Sequence, residues 1–272
     1  MIPKDGIRAV ITGAAGGLGR AFALRIAKGG GAVLVTDVDE AGAARTAEEV
    51  RALGGRAAVR VCDVRDAKQV ADLVEVAERE LGGIDLVINN AGVAVAGNVG
   101  DVTLDDWRWQ IDINLWGVIH GCHAFVPYFR KQGRGHVLNV ASMAGLLAVP
   151  GMAPYNVTKF AVVALSEALR GELLGTGVGV TVLCPSFFQT NIMNAARSTG
   201  VDVGVAHQRM KATKIQADEV AECGLAAARA DDLYALPHPE GWAMWGLKRL
   251  APSTFVGAVA RLGKRLQKRA AG

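Results

Sequence analysis

The sequence is poor in cysteine and lacks long apolar runs, and each shortage excludes a class of protein. Four cysteines are scattered over 272 residues, without the close spacing of a metal site or a disulfide-rich scaffold. No apolar run reaches the roughly 20 residues that span a bilayer, and the N-terminus lacks the layout of a signal peptide. We therefore expect a cytoplasmic globular protein without a metal centre.

Acidic residues are missing from residues 241–272, which carry seven lysines and arginines. Because the whole chain has a formal net charge of +4, the residues before this tail carry a net charge of −3. The high pI therefore comes from the tail and gives no reason to expect nucleic-acid binding.

Short apolar runs alternate with longer helical patterns along most of the chain. The runs are residues 8–12, 32–37, 56–62, 84–89, 135–141, 178–184 and 233–236. Nearly all-apolar strands between helices are typical of a parallel sheet covered on both faces. We predict a doubly wound, Rossmann-type α/β domain of about seven strands over residues 1–240, followed by a basic helical extension over 241–272. Ligands are expected at the carboxyl ends of the strands.

The first predicted strand ends in a glycine-rich turn, TGAAGGLG at residues 12–19. Such a turn lets backbone N–H groups approach a pyrophosphate at a helix N-terminus. The spacing differs from G-x-G-x-x-G, so a generic strand–helix turn is an alternative. Asp37 ends the second strand, where a carboxylate can bind an adenosine ribose and repel a 2′-phosphate. This favours NAD over NADP, although Asp37 could instead cap the next helix or turn.

Tyr155 and Lys159 are four residues apart in a predicted helix, so they share one face, one turn apart. A neighbouring ammonium favours the phenolate, and lowering the pKa of a tyrosine by two to three units needs roughly 3–4 kcal/mol. Ser142, at the end of the preceding strand, could hold the oxygen of an alcohol or carbonyl. The Tyr-x-x-x-Lys spacing alone also suits a solvated helix face.

Taken together, these motifs resemble the short-chain dehydrogenase/reductase family over about residues 5–236. The matching motifs are TGAAGGLG at 12–19, Asp63-Val64, Asn89-Asn90-Ala91-Gly92, Asn114, Ser142 and Tyr155-x-x-x-Lys159. The resemblance implies a catalytic set and a bound nicotinamide dinucleotide. The catalytic set comprises Asn114, Ser142, Tyr155 and Lys159.

The resemblance also implies the cofactor contacts. They are Gly13, Gly17, Leu18 and Gly19 at the pyrophosphate, Asp37 at the ribose, Asp63 and Val64 at the adenine, Asn90, Ala91 and Gly92 beneath the adenosine and ribose, and Tyr155, Lys159, Pro185, Phe188 and Thr190 in the remaining contacts. Asparagines at a strand end can also be purely structural. Ser186 replaces a glycine common in the family, which puts the local turn in doubt.

By the same resemblance, Tyr155 exchanges a proton with the substrate oxygen and Ser142 orients that oxygen. Lys159 lowers the pKa of Tyr155 and holds the nicotinamide ribose. Asn114, at a kinked or water-bound helix position, anchors a water, although an ordinary exposed asparagine is an alternative. The expected function is hydride transfer between NAD(H) and a secondary alcohol or ketone. An NADPH-dependent carbonyl reductase and a non-catalytic NAD-responsive regulator are alternatives.

Apolar residues suggest a lipophilic substrate. They lie in a predicted lid at about 187–215 (Phe187, Phe188, Ile192, Met193) and in the loop after Ser142 (Leu146, Leu147, Val149, Met152). They could equally pack against the body of the protein. We expect a homodimer formed by the helices around 104–131 and 153–175, with a homotetramer as the alternative. The basic tail could contact an anionic membrane peripherally, pack on the body, cover the pocket or join a subunit interface.

Overall fold

A seven-stranded parallel sheet forms the centre of the computed structural model, which describes residues 2–188, 196–201, 204, 213 and 215–270, without the side chains of 263–270. Its strand order is β3-β2-β1-β4-β6-β7-β9, and β5 pairs with β8 in a separate parallel ribbon. The strands are β1 (Arg8–Thr12), β2 (Ala32–Asp37), β3 (Arg56–Val61), β4 (Leu86–Asn89), β5 (Val95–Gly97), β6 (Gly135–Val140), β7 (Val178–Leu183), β8 (Arg197–Thr199) and β9 (Tyr234–Ala235).

Helices cover both faces of this sheet. They are α1 (Gly17–Lys28), α2 (Glu40–Ala52), α3 (Ala67–Leu81), α4 (Leu104–Ile111), α5 (Gly117–Gln132), α6 (Ala144–Leu147), α7 (Ala153–Glu172), α8 (Ala217–Ala230), α9 (Pro239–Leu250) and α10 (Pro252–Ala270). One apolar core lies between the sheet and α1, α2 and α8, and the second lies beneath α3, α5 and α7. The doubly wound fold predicted from the sequence is confirmed.

The predicted long helix over 104–131 is interrupted. A π-helical turn, Asp112–Trp116, separates α4 from α5 and contains Asn114. Single π-helical turns frequently mark functional positions. The structure therefore confirms the irregular helix position expected for Asn114.

The structure describes the predicted C-terminal extension more fully than the predicted lid. The extension is helical, and Phe255 of α10 is buried against the core beneath α5 and α7. Its separation from a domain over residues 1–240 stays a prediction. Most of the predicted lid lies outside the described residues. Among its described residues, Arg197–Thr199 form β8, which pairs with β5, and the Arg197 N–H donates to the Ala94 carbonyl at 3.0 Å.

Two asparagines cross-link the middle of the sheet beneath its carboxyl edge. Asn89 and Asn139 are partners in the β4–β6 register, and Asn89 Nδ2 donates to Asn139 Oδ1 at 2.8 Å. Asn139 Nδ2 in turn donates to Ser166 Oγ of α7 at 3.0 Å. Helix α5 approaches this pair so closely that a Cβ on Gly121 would collide with Asn89 Oδ1. The network ties two strands and two helices together under the site.

Replacing Gly121 by alanine tests this close approach. We expect Gly121→Ala to lower the free energy of unfolding by about 1–3 kcal/mol, because the buried asparagine has no room to move away. Gly171→Ala is the matched control, since Gly171 is also helical but its Cβ would meet open space. That variant should gain up to about 1 kcal/mol from helix propensity. Equal effects in urea denaturation would contradict the packing described.

Candidate active site

The turn between β1 and α1 requires glycine at three of its positions. Gly13 and Gly17 have φ values of 66° and 52°, in the left-handed region. A Cβ on Gly19 would collide with the Gly13 carbonyl oxygen. Helix α1 has no side-chain cap within the described chain, so its first N–H groups are available to an anion. Leu18 is buried in the core below the turn.

Asp37 lies beside this turn. Its Oδ2 accepts the Ala15 N–H at 2.9 Å, and its Oδ1 accepts the Asp39 N–H at 3.0 Å. Helix α2 is capped by Asp39, which accepts the Gly42 N–H. Of the alternative that Asp37 caps the next helix or turn, the helix cap is wrong and the turn contact is confirmed, because Asp37 accepts the Asp39 N–H.

Asp63 and Val64 follow β3 at the same edge of the sheet. Asp63 pairs with Arg65, which lowers the pKa of the carboxyl group. Val64 is buried, and a Cβ on Gly117 of α5 would lie 2.8 Å from its Cγ2. This packing holds the segment after β3 against the start of α5.

The Asn90-Ala91-Gly92 segment is joined to the end of β1. Asn90 Nδ2 donates to the carbonyl oxygens of Thr12 and Gly13 at 2.9 and 3.0 Å. Thr12 Oγ1 accepts the N–H groups of Asn90 and Ala91 at 3.0 and 3.1 Å. The structural role considered for these asparagines is therefore real. This role of Thr12 was not predicted from the sequence, because a threonine at a strand end carries no distinctive signal.

Asn114 is fully buried, so the alternative of an exposed helical asparagine is wrong. Its Oδ1 accepts the Val93 N–H, and its Nδ2 donates to the Val93 carbonyl, both at 2.8 Å. A Cβ on Gly92 would lie 3.3 Å from Asn114 Oδ1 and 3.7 Å from Lys159 Nζ. The glycine thus brings the segment after β4 against two members of the predicted catalytic set.

Tyr155 and Lys159 project from one face of α7 towards the end of β6. Lys159 is 3% exposed, so the alternative of a solvated helix face is wrong. Its Nζ lies 5.7 Å from the centroid of the Tyr155 ring and donates to the Val140 carbonyl at 2.8 Å. The Ser142 hydroxyl acts on the Tyr155 phenol and lowers its pKa, and Ser142 Oγ donates to the Pro185 carbonyl at 3.3 Å. Three of the four predicted catalytic residues therefore converge at the carboxyl edge of the sheet.

Removal from water governs the ionisation of both groups on α7. Burial raises the pKa of Tyr155 to about 12, while the Ser142 hydrogen bond acts in the opposite direction. Burial lowers the pKa of Lys159 to about 8. Desolvation of the phenolate outweighs the effect of Ser142 here, and the lowering of the Tyr155 pKa by Lys159 stays a prediction.

The segment after β7 has an ordinary backbone at Ser186. Ser186 is not among the described non-glycine residues with positive φ, so serine replaces the family's glycine without strain. The Pro185 carbonyl accepts the Met143 N–H at 2.9 Å as well as the Ser142 hydroxyl. Phe188 is buried in the core beneath α1 and α8. Thr190, with Ile192 and Met193 of the lid, lies outside the described residues.

The apolar residues near Ser142 divide into two groups. Leu146 and Leu147 are buried against the body, whereas Val149 and Phe187 are exposed. The loop is held by Asn156, whose Nδ2 donates to the Val149 carbonyl at 2.7 Å. Asn156 was also missed from the sequence, because an asparagine beside a tyrosine gives no hint of a loop contact.

A family model of short chain dehydrogenases matches residues 8–200. EphD of Mycobacterium tuberculosis, described as a probable oxidoreductase, is 34% identical over 90% of this chain and 43% of its own length. The chain thus spans less than half of that relative. The 1-deoxy-11-beta-hydroxypentalenate dehydrogenase of Streptomyces avermitilis is 37% identical over 83% of this chain and 82% of its own.

A solved structure is also similar. It is a short chain dehydrogenase/reductase from Burkholderia phymatum in complex with NAD, 35% identical with a TM-score of 0.87. The match covers 93% of this chain and 96% of that one. The similarity thus extends over the sheet and the edge where the motifs converge.

Proposed function

The chain belongs to the short-chain dehydrogenase family, and we propose that it is an oxidoreductase transferring hydride between NAD(H) and a secondary alcohol or ketone. The observation that carries this proposal is the convergence of Ser142, Tyr155 and buried Lys159 beside Gly92. A lysine removed from water and placed one turn from a tyrosine is costly unless it serves the site. The named activity of the Streptomyces relative, a dehydrogenase of a hydroxylated compound, supports the same reaction class.

The residues divide the proton chemistry among them. Tyr155, as the phenolate, takes the proton from the alcohol oxygen during oxidation, and as the phenol it gives a proton to the carbonyl oxygen during reduction. Ser142 orients that oxygen, and Lys159 carries charge beneath the phenol. Asn114 fixes the segment after β4 and anchors a water for the proton relay. Because the pKa of Tyr155 is about 12, the phenol keeps its proton at neutral pH, and alcohol oxidation should speed up as the pH rises.

The residues present fit a nicotinamide dinucleotide, which supplies the hydride acceptor or donor when bound. The glycine turn and the uncapped N-terminus of α1 suit its pyrophosphate. The residues proposed to hold it are Gly13, Gly17, Leu18, Gly19, Asp37, Asp63, Val64, Asn90, Ala91, Gly92, Tyr155, Lys159, Pro185, Phe188 and Thr190.

NAD is favoured over NADP by the charge beside the turn. The Asp37 carboxylate beside the turn would repel a 2′-phosphate, and Arg65, which follows the neighbouring strand β3, is already paired with Asp63. An NADPH-dependent carbonyl reductase is therefore the weaker alternative. A non-catalytic NAD-responsive regulator would have no need of the complete catalytic set.

A lipophilic substrate is supported by the exposed Val149 and Phe187 near Ser142. The direct test is a panel of secondary alcohols and ketones assayed with NAD(H) and NADP(H) by reduced-nicotinamide absorbance. We expect turnover with NAD(H) and a preference for apolar substrates. Absence of turnover with every pair, despite NADH binding, would favour the regulator.

Replacing Tyr155 by phenylalanine tests the proton transfer. We expect Tyr155→Phe to reduce kcat by about 10²- to 10⁴-fold, because the proton then has no positioned acceptor. NADH binding, followed by fluorescence, should stay within about threefold of the wild type. Tyr128→Phe is the control, since that ring packs on Phe129 away from Lys159. A Tyr155→Phe enzyme with wild-type turnover would contradict the assignment.

A homodimer through α5 and α7 is the oligomeric state that we propose, with a homotetramer as the alternative. An apolar cavity of about 270 Å³ lies on these two helices, and it is lined by Ile119, Cys122, His123, Val126, Pro127, Leu165 and Leu169. Self-association would cover that cavity. A cytoplasmic location is also proposed, because the four cysteines are free and three of them are buried.

The helical pair α9–α10 is proposed to contact an anionic membrane surface peripherally. The described helices include none long and apolar enough to cross a bilayer. An apolar groove of about 220 Å³ between α9 and α10 is bordered by exposed Leu247 and Leu262, and Leu250 nearby is 87% exposed. Residues 241–272, which make up most of this pair, carry seven cations and no acidic residue, and this charge complements anionic headgroups.

Vesicle sedimentation with single-residue variants tests this contact. The full-length protein should bind phosphatidylglycerol-containing vesicles more tightly than phosphatidylcholine vesicles, and added salt should weaken the binding. Leu250→Asp should reduce binding by about tenfold or more, because a leucine loses its burial in the lipid. Leu174→Asp is the matched control, since Leu174 is 82% exposed at the end of α7. Equal binding of both variants, or none by the wild type, would contradict the proposal.

A further inference from the structure

His238 is a buried histidine beyond the segment matched by the family model. It is 3% exposed and lies between β9 and α9. Its Nδ1 accepts the Ser186 N–H at 3.1 Å, and its Nε2 lies 3.0 Å from the Phe187 carbonyl oxygen. The imidazole therefore contacts two consecutive residues of the chain segment that follows β7.

These two contacts define one form of the ring. An amide N–H can only donate, so Nδ1 must carry a lone pair, and a carbonyl can only accept, so Nε2 must carry the proton. A single neutral tautomer satisfies both contacts. The ring therefore fixes both a donor and an acceptor of the backbone, which resists rotation of the peptide between them.

The backbone that His238 contacts is also hydrogen-bonded to Ser142. Pro185 precedes Ser186, and its carbonyl accepts the Ser142 hydroxyl at 3.3 Å and the Met143 N–H at 2.9 Å. On the other side, the Cys184 N–H donates to the Ala235 carbonyl of β9 at 2.8 Å. The turn formed by 185–187 thus lies between β9 and His238 on one side and the Ser142 segment on the other.

We propose that His238 is a positioning residue that holds turn 185–187 so that Ser142 is aligned with the substrate oxygen and the nicotinamide end of the cofactor site keeps its shape. This inference rests on the proposed function. In this chain Ser186 stands where the family commonly has glycine, and its N–H is the group that Nδ1 accepts. The site therefore depends on a side chain supplied from outside the recognised motifs.

Three variants separate the two contacts. His238→Ala removes both, His238→Asn keeps an acceptor near the position of Nδ1, and His238→Gln keeps a donor near the position of Nε2. We expect His238→Ala to lower kcat about tenfold and to weaken NADH binding, measured by fluorescence, about tenfold. The KM for the alcohol should change less than threefold, because Ser142 acts mainly on charge that develops in the transition state. The asparagine and glutamine variants should fall between His238→Ala and the wild type.

The variant Val70→Ala is the control for effects that come only from a loss of stability. Val70 is fully buried in α3 on the core beneath α3 and α5. This variant should lower Tm while leaving kcat and the NADH Kd within twofold of the wild type. If His238→Ala does not fold, the asparagine and glutamine variants carry the comparison.

Two readouts do not require turnover. ¹⁵N NMR of the imidazole should show the Nε2-protonated tautomer, and hydrogen exchange at the Ser186 amide should accelerate in His238→Ala. Faster exchange with unchanged kcat and NADH Kd would overturn the positioning role, as would a wild-type exchange rate in that variant. A wild-type protein without NADH binding or turnover would defeat the proposed function, while the exchange comparison would still test the turn.

Discussion

The burial of the Lys159 amino group is the constraint on which the site depends. A buried cation needs groups that accept its hydrogen bonds, and the Val140 carbonyl at the end of β6 accepts one of them. Gly92 lies beside this group, since a Cβ there would be 3.7 Å from Lys159 Nζ and 3.3 Å from Asn114 Oδ1, and Asn114 is fixed to the Val93 backbone. The segment after β4 and the π-helical turn thus meet close to one ammonium group.

The same burial sets the ionisation of the neighbouring phenol. Tyr155 is half-buried and Lys159 is almost fully buried. Desolvation favours the neutral form of each group, which raises the pKa of Tyr155 to about 12 and lowers the pKa of Lys159 to about 8. The protein without its cofactor thus keeps a protonated phenol beside a weakened base. A bound substrate oxygen held by Ser142 would therefore meet a phenol and an amine whose pKa values desolvation has already shifted.

The fold was predictable because its signals are local. Runs of apolar residues mark the strands of a parallel sheet, and the ends of those runs place Asp37, Asn90 and Ser142 at one edge. The burial that raises the pKa of Tyr155 could not be predicted from the sequence, because the depth of burial depends on tertiary packing. Thr12 and His238 were missed because their partners lie on distant segments of the chain. The predicted lid could be compared with the structure least of all, because most of it lies outside the described residues.

The short edge strand β9 has a consequence for how the protein is made. Its residues Tyr234 and Ala235 pair with β7, and His238, three residues further on, contacts the segment that follows β7. Synthesis proceeds from the N-terminus, so the glycine turn and the Tyr155 helix leave the ribosome well before the last parallel partner does. A nascent chain that has not yet supplied β9 therefore lacks the acceptors of the Cys184 and Ser186 N–H groups in the turn that contacts Ser142.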